Sequence, residues 1–123
     1  GNVSSATIAD YTPATAGIPD YAYSVPSGQE FGYTVSASTT SDLAQKFLDN
    51  GSNTCNTGSA DTGGTSSCWY GLSTTATSTI VRSSATSASG STSSVMFKLT
   101  ISSGSLVTSD TYNATATLTA TTN

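Results

Sequence analysis

At 123 residues the chain has the size of one domain, long enough to bury roughly two thirds of its surface on folding. It carries 48 Ser or Thr, no His, a single Glu and only three basic residues, for a formal net charge of −4. Lys46, Arg82 and Lys98 form no basic stripe, which argues against nucleic acid or an anionic membrane as a partner. Without His, serine and threonine hydroxyls lack their usual activating base, so no enzyme is expected.

In chain order, residues 3–10 are extended-prone, with Ala6 and Ile8 on one face and Val3, Thr7 and Ala9 on the other; Pro13 and Gly17 follow as a tether. Residues 21–25 are a weaker strand candidate. Phe31, Tyr33, Val35 and Ala37 alternate with Gly32, Thr34 and Ser36, which predicts a strand with one apolar face. Residues 41–51 break that period: Ser41 suits an N-cap, Asp42 the positive helix end, Leu43 and Phe47 one face, and Gly51 the C-terminal turn. A short helix is expected there.

Cys55 and Cys68 flank twelve residues in the most Gly- and Asn-rich part of the chain, and neither C-x-x-C spacing nor further Cys or His accompanies them. They are expected to form one disulfide, which implies an oxidising compartment, and no metal or cofactor is expected. Residues 69–74 and 77–83 are weaker strands, and 83–94 a loop or exposed edge. Val95, Phe97, Leu99 and Ile101 then alternate with Met96, Lys98 and Thr100, and Tyr112, Ala114, Ala116, Leu118 and Ala120 with Asn113, Thr115, Thr117 and Thr119. These last two runs are expected to pair as antiparallel neighbours.

Short strands at roughly ten-residue spacing predict an all-β chain: an antiparallel immunoglobulin-like β-sandwich with one short helix and a disulfide-stapled loop, a single domain over residues 1–123. The run Leu106-Val107-Thr108-Ser109-Asp110-Thr111-Tyr112 resembles the tyrosine corner of immunoglobulin-like and fibronectin-III-like domains, in which the Tyr hydroxyl bonds back to nearby backbone. Residues 111–120 resemble the final strand of small secreted prokaryotic surface domains of the spore-coat-U, WxL and TasA/camelysin type. That resemblance implies an extracellular β-domain and carries over no functional residue.

The chain has no apolar run of about 18 residues and no charged-then-apolar leader, so neither a membrane span nor a retained signal peptide is expected; beginning at Gly1, it reads as a processed product. Three glycosylation sequons begin at Asn2, Asn50 and Asn113, in a composition that produces such triplets by chance. Asp49, Gly51, Asn53 and Asp61 suggest a loose calcium loop, against which stand ordinary Asx turns. Lys98, Glu30 and Asn113 could supply an isopeptide crosslink only if buried together, which their polar phase argues against.

Two functions remain. One is a subunit of an extracellular filament or surface layer, a homopolymer in which residues 1–11, through Val3, Ala6 and Ile8, are donated to a neighbour's sheet. The other is a carbohydrate-binding or adhesion module, with Tyr11, Tyr21, Tyr23, Tyr33, Trp69 and Tyr70 as stacking surfaces, Trp69 and Tyr70 foremost, and glycans as partners. Exposure of the rings separates the two.

Overall fold

The computed structural model describes residues 7–61, 68–75, 77, 79–81, 89–105, 107, 109 and 111–121. Its regular structure is one mixed sheet of four strands: β1 (Ala9–Asp10), β2 (Gln29–Ala37), β3 (Tyr70–Gly71) and β4 (Ser93–Ile101). β2 is central. Along one edge it pairs antiparallel with all of β4, from Gln29 opposite Ile101 to Ala37 opposite Ser93. Its other edge is shared end to end by β1, parallel at Glu30 and Phe31, and β3, antiparallel at Gly32 and Tyr33.

Sequence alternation predicts only antiparallel pairing, and β1 departs from it. A parallel neighbour needs a connection of a dozen residues or more, and residues 11–28 supply one. The Tyr11 amide extends the pairing by donating to the Phe31 carbonyl at 2.9 Å.

Because β2 and β4 are in register, odd-numbered residues of both share one face. Tyr33 and Val35 are buried on it against Leu43, Phe47, Leu48 and the Cys55–Cys68 disulfide, with Val95 packed alongside. Two 3-10 turns, Thr40–Asp42 and Gln45–Phe47, carry that cover in place of the expected helix. The reason lies in the burial: Asp42, Leu43, Phe47, Leu48 and Asp49 are all buried, and five such positions point all round a helix instead of along one stripe. The backbone instead finds partners outside the segment. The Ala44 amide donates to Thr79, the Val81 amide to Asp42, and Asp49 and Ala60 exchange both amide bonds.

Among the described residues this covering layer is irregular and holds no second sheet. The expected strand pairing between residues 95–101 and 112–120 is also absent: β4 takes β2 as its partner, and residues 113–121 are exposed without ladder bonds. Alternation marks a segment as able to form a strand, but it does not choose the neighbour. Of the weaker candidates, the described residues give β1, β3 and single bridges at Asp20 with Trp69 and Leu43 with Ile80. Leu106, Thr108 and Asp110 of the tyrosine-corner run lie outside the described residues, as do Asn2, Val3 and Ala6.

The even-numbered face is covered by Tyr11, Val25 and Trp69, all buried, with Tyr23 beside them. Two glycines permit that approach. A methyl group on Gly32 would stand 2.6 Å from Tyr23 Cε2 and 2.9 Å from Tyr11 Cβ, and one on Gly71 would strike the Tyr11 carbonyl oxygen.

Gly32→Ala is therefore expected to lower the unfolding free energy by about 1–3 kcal/mol, the usual cost of overpacking, measured by urea denaturation with near-ultraviolet dichroism reporting the displaced rings. Reduction of the disulfide is expected to lower it by about 3 kcal/mol, the chain-entropy value for a loop of this size, read as a shift in the urea midpoint with and without reductant.

Candidate functional site

The aromatic cover of the even face is a dense cluster. Tyr11 stacks on Tyr23 with ring centroids 4.5 Å apart, and Tyr23 meets Trp69 edge-on at 5.1 Å. Lys98 reaches across from β4, its Nζ 5.0 Å from the Tyr23 centroid and 5.6 Å from that of Trp69. The Tyr11 hydroxyl donates to Asp20 Oδ2 at 2.7 Å, and the Tyr23 hydroxyl to the Glu30 carbonyl at 2.7 Å.

Burial, reinforced by the Asp20 carboxylate, pushes the Tyr11 hydroxyl far above its ordinary range. Tyr23 is pushed up to about 12 by burial and then by the charge of Glu30. Tyr33, on the other face, is raised by burial.

Within the cluster Tyr11 and Trp69 are buried and Tyr23 is half-buried. Trp69 is 1% exposed, leaving no ring face for a sugar. Tyr70 is half-buried with Lys46 Nζ 4.7 Å over its ring, and burial lowers the pKa of that lysine. A shallow, wide-mouthed depression of about 520 Å³ lies beside Tyr11 and Asp20. The Asp20 carboxylate at its rim already accepts the Tyr11 hydroxyl and the Ala14 amide.

The acidic groups of the loop region serve the backbone in the same way. Asp49 is buried and accepts the Gly51 amide at 2.6 Å, and Asp61 accepts the Ala37 amide at 3.0 Å. Asn50 is exposed and folded into an Asx turn, its Oδ1 accepting the amides of Ser52 and Thr54. Asn53 and Asn56 take positive φ in the same loop. Among the described residues no group of three His, Cys, Asp or Glu could hold a metal. The isopeptide candidates are apart in role: Lys98 stands over rings, Glu30 accepts the Thr12 amide, and Asn113 is exposed off the sheet.

The opposite face of β4 presents what a folded sheet usually hides. Phe97, Leu99 and Ile101 are 42%, 46% and 49% exposed, and Phe31 of β2 stacks on Phe97 with parallel rings at 5.7 Å. The covering layer reaches Val35 and Val95 but stops short of this end. Among the described residues no strand pairs with the outer edge of β4. Ile8 is half-buried at the start of the described chain, and Ala9 and Asp10 immediately after it are bound to their own β2.

Comparison with known protein families, characterised proteins and solved structures finds no match. Both Cys are engaged in the disulfide, and no described helix is long and apolar enough to cross a membrane; each is compatible with a secreted protein.

Sequence alternation identified the apolar residues of β4 but carried no sign that half of that face would stay uncovered. The Lys98, Tyr23 and Trp69 contact was missed altogether, since Lys98 and Tyr23 are 75 positions apart in sequence.

The raised tyrosines make stability pH-dependent on the alkaline side. In the unfolded chain they ionise near 10, whereas the folded protein holds Tyr23 protonated to about 12. Their contribution is complete below pH 10 and is lost as pH rises toward 12. Phenolate absorbance is expected to show Tyr11, Tyr23 and Tyr33 ionising only together with loss of the folded far-ultraviolet signal.

Proposed function

We propose that this chain is a secreted, non-enzymatic structural subunit of an extracellular filament or surface layer, assembling with copies of itself by strand complementation. The observation that carries this reading is the nine-residue β4, whose outer edge is unpaired among the described residues and whose Phe97, Leu99 and Ile101 are about half exposed. Edge strands of ordinary monomers are shortened, bulged, charged or covered; this one is long, lacks Pro and carries Lys98 as its one charge. Added backbone pairing would extend the four-stranded sheet from one subunit into the next and bury that apolar end.

Two runs of the chain have the strand-prone composition of a donor. The N-terminal one, containing Val3, Ala6 and Ile8, leads directly into a strand already paired with its own β2. The C-terminal one, residues 113–121, is exposed along its whole length. The burial of Tyr11, Tyr33 and Trp69 and the lysine over Tyr70 weigh against the carbohydrate-binding alternative.

Native electron microscopy and light-scattering mass of the full chain across a concentration series test the proposal. Regular filaments or ordered sheets of mass rising with concentration are expected. A protein that stays a 12.3 kDa monomer at every concentration overturns it.

A further inference from the structure

We propose that residues 113–121 of one copy add as a strand to the outer edge of β4 in a second copy, laying Ala114, Ala116, Leu118 and Ala120 against its Phe97, Leu99 and Ile101. This rests on the strand-complementation reading and names its donor and acceptor.

The two runs match in length and chemistry. β4 has nine residues, and residues 113–121 would span the same distance, about 30 Å at the usual rise per strand residue. The donor run contains no charge, Gly or Pro; β-branched Thr alternates with Ala and Leu, which favours extended backbone and yields one apolar face. Every one of its residues is exposed, and Leu118, at 67%, is more exposed than any other large hydrophobic side chain described. On the acceptor, Phe97, Leu99 and Ile101 are large and share one face, with Met96 exposed on the other. Small Ala side chains in the donor leave room for the Phe97 and Leu99 side chains to close over it, and Leu118 fills the remaining gap.

The first residues after β4 leave it on the side of β2, away from the open edge, which favours a second copy. A tight hairpin would turn residues following Ile101 toward the outer edge. Instead Ser102 and Ser105 bind the chain toward β2: the Ser102 amide and hydroxyl both donate to the Gly28 carbonyl, and the Gly28 amide donates to Ser105 Oγ at 3.0 Å. Gly28 immediately precedes β2, so these bonds draw the exit of β4 away from its open side. Lys98, the one charge on β4, is held over Tyr23 and Trp69 on the opposite face and does not obstruct the apolar end.

The test uses full-length variants and the unaltered chain. A donor variant, Thr117→Pro with Leu118→Asp, removes a ladder N–H and charges the apolar face at positions that are exposed in the subunit. An acceptor variant, Leu99→Asp, charges the receiving face. Each alone is expected to remain monomeric, and their equimolar mixture to form a dimer of twice the subunit mass that grows no further, since one donor and one acceptor survive. Hydrogen exchange on the unaltered chain provides a reading independent of variant folding: amides of residues 113–121 are expected to be protected in the assembly and unprotected in dilute monomer.

Continued polymerisation of the donor variant overturns this inference and leaves the filament reading standing. Protection of those amides in dilute monomer, independent of concentration, overturns it in favour of a strand folded back on its own chain. Loss of assembly on deleting residues 1–6 assigns the donor to the N-terminus and overturns it likewise. An unaltered chain that never assembles overturns the filament reading itself.

Discussion

Nine consecutive residue pairs join β2 to β4, and both packing layers of the protein are built on the surface those pairs create. With β4 on one edge and β1 and β3 sharing the other, β2 alone among the described strands has both edges occupied, and Gly32, Tyr33, Thr34 and Val35 at its middle are all buried. The odd face receives the disulfide and the two 3-10 turns; the even face receives the tyrosines and Trp69. Loss of register between β2 and β4 by one residue would exchange the two faces and place Lys98 where Phe97 and Leu99 now stand.

The two covers differ in kind. On the odd side the covering chain is rich in turn residues with little local order of its own, and the Cys55–Cys68 link holds it together between Phe47, Leu48 and Tyr33. On the even side the cover is held by side-chain contact: ring stacking, the Tyr11 bond to Asp20, the Tyr23 bond to Glu30 and a lysine laid across two rings. Gly32 and Gly71 matter because only a residue without Cβ lets Tyr11 and Tyr23 come down onto the sheet. Neither cover extends over Phe97, Leu99 and Ile101, and that asymmetry is what the proposed assembly rests on. An exposed apolar end beside an unpaired backbone edge is costly in a monomer and is relieved by one added strand.

A chain with so few charges relies on hydroxyls and amides for its polar contacts, and the structure bears that economy out. Asp20, Asp49 and Asp61 each accept backbone amides. Serines at 102 and 105 satisfy the polar groups of Gly28 where the chain leaves β4. These carboxylates hold backbone in place, and the depression beside Tyr11 opens next to one that already holds two donors.

What the sequence determined by itself was local: the alternating runs that became β2 and β4, the disulfide, and the turn-rich loop in which Asn53 and Asn56 take positive φ. Each follows from residue type and short-range spacing, through side-chain period, backbone freedom and thiol chemistry. Tertiary structure decided the rest. It gave β4 to β2 instead of to residues 112–120, turned β1 parallel, and replaced the helix at 41–51 with two short turns because five buried positions there face in too many directions for one helical stripe. It also buried Trp69 and left Leu99 and Leu118 in solvent. Alternation sets which side chains share a face, but only the competition among distant segments for the same edges and faces settles which of them are covered.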